Sequence, residues 1–319
     1  MPHPELITFG ETMVVLDPVQ KGPLRNVAQF NKRFGGAESN VSIGVVRLGH
    51  TAGWISQVSD DELGDYLVNS IRGEGVDTSQ VKRTSDAPTG LYIKERIREG
   101  ANQVYYYRKN SAASLLSKEQ IDWGYLKEAK IIHVSGITPF LSESCRDLTK
   151  EIVHFAKEND IFISFDPNLR YKIMASIENH KEIIMNIAKQ ADLFMPGIDE
   201  ATYLFGIKEP DTIFESCKKM GMKNVILKDG ANGSYFMGGL EKGFVSSIKV
   251  DKVVDPVGAG DGFAAGVLTA LLEGKSLKAA VERGSVVGAM VVTVAGDMEG
   301  LPTIRQMGQF LASNQDVQR

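Results

Sequence analysis

From about residue 114 onward, short apolar or β-branched runs alternate with helical patterns. These are Ile131 to Ser135, a helix near Ser142 to Asn159, Ile161 to Asp166, a helix through Ile183 and Ile187, and Leu193 to Met195. A helix from Asp199, the run Val225 to Leu227, an edge pair at Ser234 to Met237 and Gly243 to Ile248, and two long helices enclosing Ala289 to Val294 complete the series. Such alternation predicts an α/β fold: a parallel sheet covered on both faces, with ligands beyond the carboxyl ends of its strands. The loops expected at those ends are Gly136 to Pro139, Asp166 to Arg170, Pro196 to Glu200 and Lys228 to Gly230.

The first third has a different texture. Leu6 to Gly10 reads as a buried strand, but Met13 to Leu16 and Phe30 to Phe34 follow as strands with no helix between them. Gly35-Gly36 then opens a helical pattern through Val41, Ile43, Val45 and Leu48, followed by a strand at Trp54 to Val58 and a helix from Leu63 to Gly75. Leu91 to Ile97 alternates, Arg98 to Ala101 turns, and Gln103 to Arg108 returns as a strand. This hairpin and the two early strands cannot join a parallel core. They are expected to form a separate small sheet, and a sheet over a cleft is a lid. The division is therefore a core of residues 1–11, 35–88 and 112–319, with a lid of residues 12–34 and 89–111.

The densest chemical signal is Asp255-Pro256-Val257-Gly258-Ala259-Gly260-Asp261-Gly262-Phe263. A β-branched run ends at Val253-Val254, and beyond the glycines a helical spacing begins, so the expectation is a strand handing over to a helix. Unpaired N–H groups of the first helical turn, with the positive end of the helix dipole, suit an anion. Gly258 and Gly260 let backbone approach it closely. Asp261 beside such a site repels a phosphate unless it handles a proton or a metal. That points to phosphoryl transfer, with the amides around Gly258, Ala259 and Gly260 holding the moving group and Asp261 taking the proton of the attacking hydroxyl. The helix end is expected to keep Asp261 ionised and weakly basic. For an isolated GxGD, a capped helix after a Gly-rich turn is the more common account; the whole stretch is more specific than that.

Substrate charge is legible in the spacing of two arginines. Tyr106 and Arg108 lie two apart on one lid strand and so face the same way, while Arg170 stands just past a strand end. If both faces look into the cleft, two guanidinium groups and a phenol converge on one molecule, and a carboxylate suits that fork better than a neutral sugar. The alternative is an ordinary polar face and a surface ion pair. Asn40 suits either a sugar hydroxyl or a helix cap.

Composition removes several classes. Lys plus Arg number 36 against 40 Asp plus Glu, a net charge of -4, so nothing suggests nucleic acid. No segment approaches the roughly 20 apolar residues that cross a bilayer, and Met1 to Glu5 lacks the basic start of a signal peptide. Cys145 and Cys217, far apart in helix-like segments, read as buried thiols in a reducing cytoplasm. The five histidines are scattered without ligand spacing.

DPVGAGDGFAAG resembles the C-terminal signature of the ribokinase-like (PfkB) carbohydrate kinases, in which the final Asp is the catalytic base and GAG the anion hole. Gly35-Gly36-Ala37-Glu38-Ser39-Asn40 is similar to the N-terminal signature, with Glu38 at the usual proline. GGAESN, TGLY, YYRKNSAAS, SGITP, DPNLR and LKDGANG follow in the order found in the 2-keto-3-deoxygluconate kinases of that family. The resemblance implies a ribokinase-like three-layer sandwich with a small β-sheet lid, ATP and Mg²⁺ as cofactors, and phosphorylation of the terminal hydroxyl of the sugar acid. It implies a substrate site of Gly36, Tyr92, Tyr106, Arg108, Ile137 and Arg170. Asp297 is added to these, although a turn-forming Asp accounts for it equally. It further implies an ATP-contacting turn at Lys228, Gly230 and Gly233. At the family's magnesium motif NxxE, Glu200 alone matches, because Gly197 replaces the Asn. The resemblance also implies a monovalent cation (K⁺) near Asp255 and Val257. Separately, exposed edges of the lid strands, which a twofold partner could cover, lead to the expectation of a homo-oligomer through the lid. A kinase for fructose or a dehydro-deoxygluconate, or a sugar-acid sensor without catalysis, are the rival readings.

Overall fold

The computed structural model describes residues 3–98, 101–175, 177–239 and 241–316. Among the described residues thirteen strands form two sheets: β1 (Leu6–Phe9), β2 (Met13–Pro18), β3 (Phe30–Gly35), β4 (Ala52–Ser59), β5 (Val81–Thr84), β6 (Leu91–Arg98), β7 (Ala101–Tyr107), β8 (Ile131–Ser135), β9 (Phe162–Asp166), β10 (Leu193–Phe194), β11 (Asn224–Lys228), β12 (Gly233–Gly238) and β13 (Glu241–Ser246). The larger sheet runs β13-β12-β11-β10-β9-β8-β1-β4-β5. It is parallel from β5 to β11, and β12 and β13 close one edge in antiparallel fashion.

Successive side chains of a strand point to opposite faces, and the apolar residues of the central strands divide accordingly. Ile7, Phe9, Ile132, Val134, Val225 and Leu227 pack with the helices Glu143–Glu158, His180–Ala188 and Pro210–Lys219 on one side. Leu6, Ile131 and Ile226 pack with the helices Ala37–Arg47, Ala259–Leu272 and Leu277–Val291 on the other. Burial on both faces is what the near-continuous apolar runs require, and it makes the three-layer sandwich. Cys145 and Cys217 are buried free thiols in two of these helices.

The smaller sheet has the order β3-β2-β6-β7, from the segments expected to stand apart. Its inner face carries Met13, Val15, Tyr92 and Val104 in one apolar cluster. Glu99 and Gly100, where the hairpin was expected to turn, lie outside the described residues.

Two sequence expectations fail. No strand precedes the glycine-rich stretch: β13 ends at Ser246, and Val253 and Val254 stand in an irregular loop, 58% and 49% exposed. β-Branched residues form a strand only where a neighbouring edge pairs with them, and here the Val254 and Asp255 amides bond instead to the main-chain oxygen of Val292. Ala289 to Val291, expected between two long helices, is the last turn of the second of them.

Candidate active site

The chain leaving the carboxyl ends of β1, β8, β9, β10 and β11 opens on one cavity of about 350 Å³, roofed by the smaller sheet. Gly258, Gly260 and Asp261 line its floor. Gly258 caps the helix Ala259–Leu272 with φ of 78°, a left-handed conformation that turns the loop sharply into the helix. A Cβ there would run into the main-chain oxygen of Asp297. Ala259 is the first helical residue and does not itself line the cavity.

Asp261 projects from the first turn and accepts a hydrogen bond from Asn40 Nδ2 at 2.8 Å. Burial pushes its carboxyl up to about 7, opposed by the Asn40 bond and Arg170 and reinforced by Asp166 and Glu38. The expectation of a weakly basic aspartate is thus overturned, because desolvation outweighs the helix end. A near-neutral base is matched to accepting a hydroxyl proton.

Beside it, Lys228 pairs with Asp166, and Gly260 lies close to the Lys228 ammonium. Burial alone would lower the lysine, but Asp166 and Glu200 together hold it above its ordinary range. Glu200 anchors both carboxylate oxygens on main-chain amides, Gly197 at 2.7 Å and Leu169 at 2.6 Å. Burial and the neighbouring Asp166 raise its pKa. Asp166, Glu200 and Asp261 therefore crowd one ammonium, an excess of negative charge that a cation would relieve. Among the described residues no three acidic, histidine or cysteine groups stand close enough to hold a metal alone. Gly230 and Gly233, on the turn after β11, do not line the cavity; only Lys228 of that segment does.

The roof supplies Tyr92, Lys94, Val104, Tyr106 and Arg108. Asp297 reaches up from the core to meet them, accepting hydrogen bonds from Tyr92 Oη at 2.6 Å and Lys94 Nζ at 2.9 Å. It is therefore more than a turn former. Burial, with the Asp297 charge, drives the Tyr92 phenol far above its ordinary range. The Tyr106 ring lies 5.6 Å from that of Tyr92 and 6.0 Å from the Arg108 guanidinium. Arg108 Nη2 pairs with Glu11 at 2.5 Å, while its Nε is buried without a partner. Gly36, Ile137 and Arg170 complete the predicted set in the wall, and among the described residues Arg170 makes no ion pair.

Sequence reasoning missed Glu11, Lys94 and Asp166. Lys94 was within reach of the argument that paired Tyr106 with Arg108, since it lies two residues from Tyr92 on one strand. Asp166 opens the DPNLR segment, and Glu11 is a carboxylate directly after a buried strand. Glu38 stands behind the wall, bonded to Thr138 Oγ1 at 3.0 Å, and its burial raises it to about 7.

A helix end open to an anion, a near-neutral base at its mouth and cations on the opposite wall make this a phosphotransferase site for a small acceptor carrying a hydroxyl. The chain belongs to the pfkB family of carbohydrate kinases, whose model matches residues 3–304. It is 42% identical over 314 residues to a 2-dehydro-3-deoxygluconokinase of Bacillus subtilis strain 168, covering 98% of this chain and 97% of the relative. A 2-dehydro-3-deoxygluconokinase of Thermoproteus tenax is 32% identical over 309 residues, covering 96% and 94%. Among solved structures, a putative Ribokinase II of E. coli in complex with ATP and Mg²⁺ superposes with a TM-score of 0.90 at 28% identity, covering 97% of this chain and 99% of that one.

Proposed function

We propose that this protein transfers the γ-phosphoryl group of ATP to the C6 hydroxyl of 2-keto-3-deoxygluconate, the 2-dehydro-3-deoxygluconate of its relatives' names, giving 2-keto-3-deoxy-6-phosphogluconate. The observation that carries the acid end is that Arg108 and Arg170 line the same cavity as Asp261. Arg108 keeps a buried, unpartnered Nε donor. A neutral sugar would leave Arg170 without a counter-charge and the Arg108 Nε donor without an acceptor, whereas a carboxylate accepts from both directly.

In this reading Tyr92, Tyr106, Gly36, Ile137 and Asp297 shape the pocket around the sugar chain, and Asn40 holds Asp261 toward the terminal hydroxyl. Asp261 takes the hydroxyl proton as the new O–P bond forms, the bond to the β-phosphate oxygen breaks, and ADP leaves with the electron pair. The amides of the Gly258 to Gly260 turn, with Lys228, receive the charge on the transferred group. Asp166 and Glu200 are the residues that would stand beside Mg²⁺, which would supply neutralisation of phosphate charge. Gly230 and Gly233 are assigned to the nucleotide through their turn. A K⁺ ion beside Asp255 and Val257 fits a buried carboxylate that caps the Val257 amide at 3.1 Å and, among the described residues, has no cationic partner. The smaller sheet acts as a lid that excludes water from the phosphoryl group.

An acceptor panel with ATP tests the assignment. The keto acid should exceed fructose in kcat/KM by about a hundredfold, from the loss of charge-assisted contacts; equal turnover ends the sugar-acid claim and leaves a general sugar kinase.

A homodimer through the lid is part of the proposal. β3 and β7 are free edges, and Tyr105 and Tyr107 are 37% and 61% exposed on the face opposite Tyr106. Such an edge and face invite a second copy. Sedimentation equilibrium should give about twice the 34.9 kDa chain mass, reduced to one chain by Tyr107→Glu; a monomeric parent protein would remove the idea. A cytoplasmic location is part of the proposal, supported by two buried free thiols; among the described residues no helix is long and apolar enough to cross a membrane.

A further inference from the structure

We propose that Glu11 is a positioning residue for this reaction: it aims Arg108 at the acid end of the substrate, from the point where every chain crossing between the two sheets meets. The proposal rests on the sugar-acid reading of the cavity.

The smaller sheet joins the rest of the chain through four crossings, at Gly10–Thr12, Gly35–Gly36, Pro88–Gly90 and Arg108–Ala112. Glu11 touches all of them. It belongs to the first. Its main-chain oxygen lies where a Cβ on Gly36 would come within 2.6 Å, and its Oε1 where a Cβ on Gly90 would come within 2.5 Å. It accepts a hydrogen bond from Ser111 Oγ and pairs with Arg108 Nη2 at 2.5 Å, both in the fourth crossing. The third and fourth crossings are bonded to each other by Ala112 N and Pro88 O at 2.8 Å.

The consequence for Arg108 follows from the shape of its side chain. A guanidinium is a rigid planar fork, so fixing Nη2 fixes the direction of every other N–H. Nη2 and Glu11 Oε2 form a close ion pair without hydrogen-bond alignment, and the Nε donor is left buried and unpartnered in a residue that lines the cavity. A substrate carboxylate would supply the missing acceptor, and a buried donor without a partner is costly. Glu11 thus performs in advance the ordering that a free arginine would undergo on binding. The Glu11 side chain has 0% exposure, so the two charges depend on each other.

Glu11→Gln keeps the length and the Ser111 contact but removes the charge. The KM for the keto acid should rise about 20-fold, with kcat lowered less than about threefold and the KM for ATP within about twofold, because the lost contact is to the acid end alone. Glu11→Asp, which keeps the charge one methylene short, should raise KM by only about fivefold. In an Arg108→Met background, itself raised about 100-fold, adding Glu11→Gln should change KM less than about threefold, since no fork remains to be aimed. If Glu11→Gln shows no cooperative thermal transition, Glu11→Asp carries the same cycle, with less than about a twofold change expected on Arg108→Met. A KM unaltered by either Glu11 variant overturns the proposal alone, as does a Glu11 effect undiminished on Arg108→Met. A parent enzyme that prefers fructose overturns the sugar-acid reading and takes this proposal with it.

Discussion

Asp261→Asn should lower kcat by about a thousandfold while leaving the dissociation constants for sugar acid and nucleotide within about threefold, the magnitude typical of a lost general base. The amide keeps an oxygen to accept from Asn40 Nδ2, so the geometry at 2.8 Å has no reason to change. The pH dependence supplies a second measurement. Because Asp261 titrates near 7, kcat/KM of the parent enzyme should fall about tenfold per unit below that point as the base is protonated, and level off above it. The residual rate of the Asn variant should lack this limb.

Stability should move the other way. The folded carboxyl holds its proton up to about 7, against an ordinary 3.8, so between those values the folded state binds a proton that the unfolded chain has released. Burying Asp261 therefore costs increasing stability as pH rises through that window, and the full cost stands above it. Asp261→Asn should raise Tm more at pH 8 than at pH 5. A kcat within tenfold of the parent, or the same Tm gain at both pH values, would remove the near-neutral base from the mechanism.

Gly258→Ala is the second large effect, and it acts on both fold and rate. An L side chain in the left-handed region costs roughly 1–2 kcal/mol, and at φ of 78° the new methyl also meets the Asp297 main-chain oxygen. Relief requires moving either the helix N-terminus or the segment that presents the Asp297 carboxylate to Tyr92 and Lys94. We expect a Tm lower by about 5 °C from this strain, and kcat lower by about 100-fold from misaligned amides. Glycines that meet nothing provide the control: a Cβ on Gly73 has open space around it, with no positive φ, so Gly73→Ala should leave kcat unchanged. A Gly258→Ala enzyme with full kcat would show that the amides of this turn do not hold the transferred group.

Much of this site was legible because its signals are local. Gly258 and Asp261 lie within one turn, Tyr106 and Arg108 two residues apart on a strand, and the DPNLR segment at a strand end; spacing set each piece, and the family resemblance implied that they share one site. Lys94 and Asp297 show the opposite case. They are separated by 203 positions, and nothing in the residues around Asp297 distinguishes a turn-forming aspartate from one whose carboxylate meets a tyrosine and a lysine. The missing strand at Val253-Val254 has the same origin: residue type favoured extended pairing, but the Val254 and Asp255 amides are taken by the main-chain oxygen of Val292, distant along the chain.

The sequence by itself determined the layered α/β plan, the separate small sheet, and the placing of a glycine-capped helix N-terminus with an acid in its first turn, because each follows from spacing along a short stretch of chain. Tertiary structure alone decided how those pieces are charged and aimed. Desolvation of Asp261, the crowding of three carboxylates around Lys228, and the contact of Glu11 with all four crossings depend on groups brought together from distant positions, and electrostatic energies in a buried site are set by those neighbours rather than by residue type.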